Sequence, residues 1–233
     1  MKIFKFILVL LLIILFSCKT KHVVGLENIA SQNSISVLNS KKVIALSQEI
    51  ADTTFVNLKN YSSDFVYDMK YASSDNFLKL KVYDCVACFL RLKTVIALIN
   101  ANKEFLKLDY KIKLFDCYRP LDVQKKMWDI VPNANYVANP SKGSIHNKGG
   151  AVDITLVDRY GNEMDMGTKF DFFGEEAGHN YLKLSNDVLK NRELLKRVMI
   201  NAKFNPFDSE WWHYNLAAGL DDKISNVKWK CEE

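Results

Sequence analysis

An α+β domain, with a small, largely antiparallel sheet flanked by helices, is the fold class this sequence predicts, and three observations predict it. Apolar spacing is helical over 91–108, alternates strictly over 110–115, and is helical again over 185–202. Strands and helices do not alternate regularly, as a doubly wound sheet requires. With 48% hydrophobic and 25% charged residues among 233, the chain has the composition and length for one sizeable core. Nine glycines and four prolines exclude collagen-like and low-complexity chains, and five cysteines are too few for a disulfide-dense mini-scaffold. The formal charge of +5 is spread without a long basic run, so no nucleic-acid partner is indicated, and nothing points to a protein partner.

Residues 1–17 read as a signal peptide. Lys2 and Lys5 precede and punctuate an apolar run, Ile7 to Phe16, that is short for a membrane span. The run ends Leu15-Phe16-Ser17-Cys18, which is similar to the lipobox of bacterial lipoproteins, where a small residue precedes a cysteine that is acylated. That likeness makes Cys18 the expected lipidation site and implies an exported protein, lipid-anchored to a bacterial membrane on its periplasmic side. Residues 18–59, rich in Ser, Asn, Lys and Gln, read as a partly flexible tether, leaving 60–233 as the folded domain.

Within that domain, Leu92, Val95, Ile96, Ile99, Phe105 and Leu108 define a core-packed helix without Gly or Pro. Tyr110, Ile112 and Leu114 alternate with Lys111 and Lys113, the mark of a half-buried strand. The strand delivers Asp116-Cys117-Tyr118-Arg119 to its end, and Pro120 suits the first turn of a helix through Val123, Met127, Trp128 and Ile130. Pro132, Pro140 and Gly143 mark a loop. Strands are expected over 151–157 and 208–216, with a helix over 185–202 capped by Ser185 or Asn186. With Cys18 assigned to lipid, Cys85, Cys88, Cys117 and Cys231 allow two disulfides in three connectivities, among which spacing does not choose.

Chemistry concentrates in two segments. In Ser144-Ile145-His146-Asn147-Lys148-Gly149-Gly150-Ala151-Val152-Asp153, the glycines let the backbone turn between His146 and a strand on which Asp153 faces away from Val152 and Ile154. In Glu210-Trp211-Trp212-His213, a bend or bulge is needed if Glu210 and His213 are to serve one site from a strand. Two histidines and a carboxylate form a three-ligand set that leaves the fourth position of a tetrahedral zinc to water, and Glu210 fits a non-ligating proton shuttle.

Ser144 to Asp153 resembles the Ser-x-His-x-x-Gly-x-Ala-x-Asp signature of the D-alanyl-D-alanine dipeptidase family of zinc peptidases, and Glu210 to His213 resembles its Glu-x-x-His signature. Asp68 to Ala72, Asp75 to Phe77, Leu90-Arg91 and Asp116 to Pro120 look like this family's stretches in the same order, so the likeness covers about 60–216. The resemblance implies a dipeptidase domain holding one zinc ion through His146, Asp153 and His213, on the sheet, with Glu210 as catalytic base. Arg119 is implied to position the scissile carbonyl and stabilise its developing charge. D-Ala-D-Ala is the implied substrate, and a dipeptidase must read both its termini: Asp171 is the candidate for the ammonium, Ser144 with Tyr71 for the carboxylate. The alternatives are a related zinc D,D-carboxypeptidase or endopeptidase trimming peptidoglycan stems, and a non-catalytic wall-binding lipoprotein. His179 is expected to be a supporting or surface histidine, and Trp211 and Trp212 sheet core and site wall.

Overall fold

The computed structural model describes residues 50–231. Strands β1 (Phe55–Asn57), β2 (Val66–Tyr67) and β3 (Phe89–Arg91) precede helix α1 (Leu92–Leu106) and strand β4 (Tyr110–Asp116). Helices α2 (Leu121–Ile130) and α3 (Ile145–Lys148) lead to β5 (Ala151–Asp158), and α4 (Asn186–Asn201) to the hairpin β6 (Phe204–Phe207) and β7 (Glu210–Leu216). The main sheet runs β2-β4-β5-β7-β6, antiparallel except where β2 lies parallel to β4. A separate antiparallel pair joins β1 to β3. The α+β class and largely antiparallel sheet expected from the sequence are thus observed.

The long helices follow their apolar stripes. Leu92, Val95, Leu98, Ile99 and Phe105 of α1 are buried, and the chain leaves the helix through Asp109 in a left-handed turn (φ 63°) that starts β4. In α4, Val188, Leu195, Val198 and Met199 are buried, and the Ser185 hydroxyl accepts from Val188 N–H (3.3 Å), so Ser185 rather than Asn186 is the cap. Both helices neighbour the sheet and each other. β5 is buried along almost its whole length, which makes it the spine of the core.

The strands that the sequence pattern did not announce are the short ones. β1, β2 and β3 are two or three residues long, below the length at which alternation is readable. β6 contains Pro206, which lacks a ladder donor, and it lies at the sheet edge, where proline is tolerated. The expected tether of 18–59 overlaps the fold at its end: β1 pairs Val56 with Leu90, the Arg91 guanidinium lies 4.7 Å from the Phe55 ring, and Arg91 Nη1 donates to Thr53 O (2.6 Å). Cys18 and the expected signal peptide lie outside the described residues. Among the described residues no helix is long and apolar enough to cross a membrane. The disulfides are Cys85–Cys231 and Cys88–Cys117, one of the three possible connectivities.

Candidate metal centre

Two irregularities in the sheet build the site. The β4–β5 ladder slips between Leu114 and Asp116, so Asp116 pairs with Asp153 at the strand end. The β6–β7 ladder pairs Pro206 with Tyr214 and then Phe207 with Glu210, leaving the intervening residues of β7 as a bulge. That bulge is the bend the Glu-x-x-His spacing demanded: Glu210 Oε2 comes within 3.9 Å of His213 Nδ1. β7 also pairs His213 directly with Asp153 of β5. His146 arrives from α3, a single turn where the sequence suggested only a glycine-rich loop. Ser144 caps it in a capping box with Asn147, and Gly149 ends it at φ 73°. A side chain at 149 would meet the Phe55 ring at 2.4 Å, so the turn that swings His146 back over the sheet needs glycine there on both counts.

The donors of His146, Asp153 and His213 all lie within 4.8 Å of one another. His213 Nδ1 is 2.9 Å from Asp153 Oδ1, and His146 Nε2 is 3.4 Å from Asp153 Oδ2 and 3.2 Å from His213 Nδ1. The outer nitrogens fix the tautomers. His146 Nδ1–H donates to Cys117 O (2.7 Å) and His213 Nε2–H to Asn215 Oδ1 (2.9 Å), which turns a lone pair of each ring inward. Two inward ring nitrogens and a carboxylate at such range favour positive charge between them, supplied by a proton on His213 Nδ1 or, with both rings neutral, by a metal cation. The group therefore fits a divalent cation by its donor chemistry and by the hydrogen bonds that orient it. Electrostatics agree. Burial opposes charge on His213, yet the Asp153 carboxylate overrides it and pushes the imidazole up to about 9. Burial also opposes ionisation of Asp153, but the two histidines hold it well below the usual carboxylate range.

Around this cluster lies an open cavity of about 560 Å³, lined among others by Arg119, Ser144, Asp171, Glu210 and Tyr71. Burial raises the Glu210 carboxyl, with the Asp153 charge adding to the effect against the pull of His213. Burial raises Asp171 still further, again helped by the Asp153 charge. Arg119 stays charged in spite of burial because Asp116 faces it: Nη2 and Nε donate to Asp116 Oδ2 (2.6 and 3.2 Å), and Nη1 to Gln124 Oε1 (2.9 Å).

Every residue expected to hold zinc, catalyse or bind substrate lines this one cavity, but two of them have partners other than those their expected tasks suggest. Tyr71 Oη donates to both oxygens of Asp171 (3.2 and 3.1 Å), so the residues assigned to opposite substrate termini touch each other. The Ser144 hydroxyl is engaged in its cap, accepting from Asn147 N–H (3.4 Å) and donating to Asn147 Oδ1 (3.2 Å). His179 is not in the cluster. Burial and the charges of Lys196 and Arg192 press it down to about 4. Sequence reasoning missed Asp116, Gln124 and Asn215 as supports. Asp116, fully buried, also accepts from Tyr83 Oη (2.7 Å) and Cys117 N–H (2.8 Å). Its available signal was an acid at a strand end three residues before Arg119.

An α+β domain whose sheet ends converge on a His/Asp/His cluster, with an uncommitted glutamate beside it on an open cleft, has the make-up of a metal-dependent hydrolase. The chain belongs to the D-ala-D-ala dipeptidase family of peptidases, whose model matches residues 51–230. It is 32% identical over 183 residues to a D-alanyl-D-alanine dipeptidase of Escherichia coli (strain K12), spanning 78% of this chain and 95% of that one. Its identity to the enzyme of the same name from Enterococcus faecalis (strain ATCC 700802 / V583) is 29% over 174 residues, and to that of Enterococcus faecium 31% over 171. Each of these alignments spans 64% of this chain and 85% of the relative.

Proposed function

We propose that the protein is a zinc-dependent D-alanyl-D-alanine dipeptidase that hydrolyses the D,D-dipeptide to two D-alanines. The observation that carries this reading is the raised, uncoordinated Glu210 carboxyl beside the His146, Asp153 and His213 donors, on a cleft that also holds Arg119 and Asp171. His146 Nε2, Asp153 and His213 Nδ1 would hold one zinc ion per chain. When bound, zinc supplies Lewis acidity, which acidifies water to a pKa of about 7 and polarises a carbonyl.

The chain's own groups supply the rest. Glu210 accepts the proton of the attacking water and returns it to the leaving amine, a task that its upward-shifted carboxyl suits. Arg119, locked by Asp116 and Gln124, keeps N–H donors for the oxygen of the scissile carbonyl as charge develops there, a type of contact worth about 2.7–4 kcal/mol. Asp171 takes the substrate ammonium, and Tyr71 holds Asp171 in place rather than meeting the far carboxylate. The far carboxylate is assigned to Ser144, which lines the same cavity. Export belongs to the same proposal: residues 1–17 as signal peptide, Cys18 as the lipidated residue, and attachment on the periplasmic side of a bacterial membrane. The two disulfides support it, since they persist in an oxidising compartment.

A cavity of about 560 Å³ is roomier than dialanine needs, which favours as second reading a related D,D-carboxypeptidase acting on stem peptides. The test is a panel of D,D-, L,D- and L,L-dipeptides and a pentapeptide stem, with and without chelator. Cleavage of free D-Ala-D-Ala, abolished by chelator and restored by zinc, is expected. Preference for the stem would overturn the dipeptidase reading.

A further inference from the structure

The C-terminal segment 220–231 carries no strand or α-helix, yet it runs behind the site and is bonded to it. Ser225 N–H donates to Asn147 O (2.9 Å), and Ser225 O accepts from Leu121 N–H (3.2 Å). On the other side, Arg119 N–H donates to His146 O (3.1 Å) and Asn147 Nδ2 donates to Arg119 O (2.8 Å). These four bonds close a ring through three segments: one carries Arg119, one carries His146, and the third is the strap at Ser225. Without Ser225 the two functional segments remain joined on one side only.

The strap is held along its length. Arg91 Nη2 donates to Lys223 O (2.8 Å), Tyr118 Oη to Val227 O (3.1 Å), and Trp229 stacks on Phe89 with centroids 5.1 Å apart. Its end is covalently closed by Cys85–Cys231. Three residues beyond Cys85, Cys88 is bonded to Cys117, whose carbonyl orients the His146 ring. Both disulfides thus leave one short segment and end on the two supports of His146: the carbonyl that fixes its ring and the strap that backs its helix.

We propose that this strap is a positioning element of the site: Ser225, latched through Cys85–Cys231, fixes Arg119 and His146 relative to each other. Its turnover readout rests on the dipeptidase reading, while its metal readout does not. The experiment uses the full chain loaded with zinc and compares the parent with the Cys85→Ser/Cys231→Ser double variant and with Ser225→Pro, which lacks the donor to Asn147. Ser225→Gly, which keeps both backbone bonds, serves as the rescue.

Zinc affinity measured by competition with a chelator is expected to weaken about tenfold in the first two variants. At saturating zinc, kcat should fall about tenfold while KM for D-Ala-D-Ala stays within about twofold, as misplacement of a group acting in the transition state demands. Ser225→Gly should match the parent. A lowered Tm with parent zinc affinity and parent kcat would show the strap to be a structural clasp only and overturn the proposal. Should the double variant fail to fold, Ser225→Pro against Ser225→Gly decides the question. A parent chain that leaves D-Ala-D-Ala uncut would remove the dipeptidase reading, and the zinc affinities would still decide the strap.

Discussion

His213 and His179 make a natural pair: one imidazole lies on β7 and the other packs against it, both largely withdrawn from water, with opposite outcomes. His213 faces Asp153 and Glu210, and the nearer carboxylate carries it up to about 9 against its burial. His179 lies with its ring 6.0 Å from that of Tyr214, among Arg192 and Lys196, and is carried down to about 4. Its Nε2 and the Tyr214 hydroxyl are both buried without a partner. Burial alone therefore does not make a functional histidine. Burial disfavours the charged form of both rings; at His213 the Asp153 carboxylate outweighs it, whereas at His179 the charges of Lys196 and Arg192 add to it.

The largest effect is expected at Glu210, the proton acceptor of the proposed chemistry beside His213. Glu210→Gln keeps the shape and the three donors but loses the proton acceptor, and should lower turnover about 10²–10⁴-fold while elemental analysis still finds zinc. Parent-level turnover in this variant would sink the proposed chemistry. Asp116→Asn tests the charge behind Arg119: without the full carboxylate charge, the guanidinium and the Cys117–His146 region lose their shared anchor. A loss of about 10–100-fold in kcat/KM is expected, and an unchanged value would show that Gln124 suffices.

His179→Gln is the other arm of the comparison, and it should leave turnover within about twofold. Its effect lies in stability. A histidine whose folded pKa is depressed takes up its proton more readily in the unfolded chain. Stability is therefore lost as pH falls from about 6.5, the unfolded value, to about 4, the folded one. The loss is on the order of 3 kcal/mol, and chemical denaturation at pH 7 and pH 4.5 should show it shrinking in the variant. If His179→Gln instead costs as much turnover as Glu210→Gln, the division between the two histidines is wrong. At the smallest scale, Tyr71→Phe removes the hydroxyl that holds Asp171 and should raise KM for the dipeptide several-fold with little change in kcat, worth about 1 kcal/mol.

Long periodic segments were readable from the chain. The apolar stripes of α1 and α4 and the alternation of β4 gave those elements to within two residues at each end, because each buries one continuous face. β1, β2, β3 and β6 were not readable, since two to four residues pair only when the rest of the sheet is already in place. The contact between Tyr71 and Asp171 was unreadable for a similar reason: nothing local indicates that residues a hundred apart share a hydrogen bond.

The order of residues by itself determined which groups are chemically able to act: His146, Asp153, Glu210 and His213, each of a type and spacing that few other tasks require, and Gly149 to turn the chain between them. Only the tertiary structure decided that two ladder bulges aim these groups at one point, that Asp116 and Gln124 lock Arg119, and which cysteines join. The reason is physical. Residue type fixes the donors and charges a chain can offer, whereas distance and orientation arise from pairing between segments far apart in sequence, where a slip of one residue in register turns a donor away from the cluster.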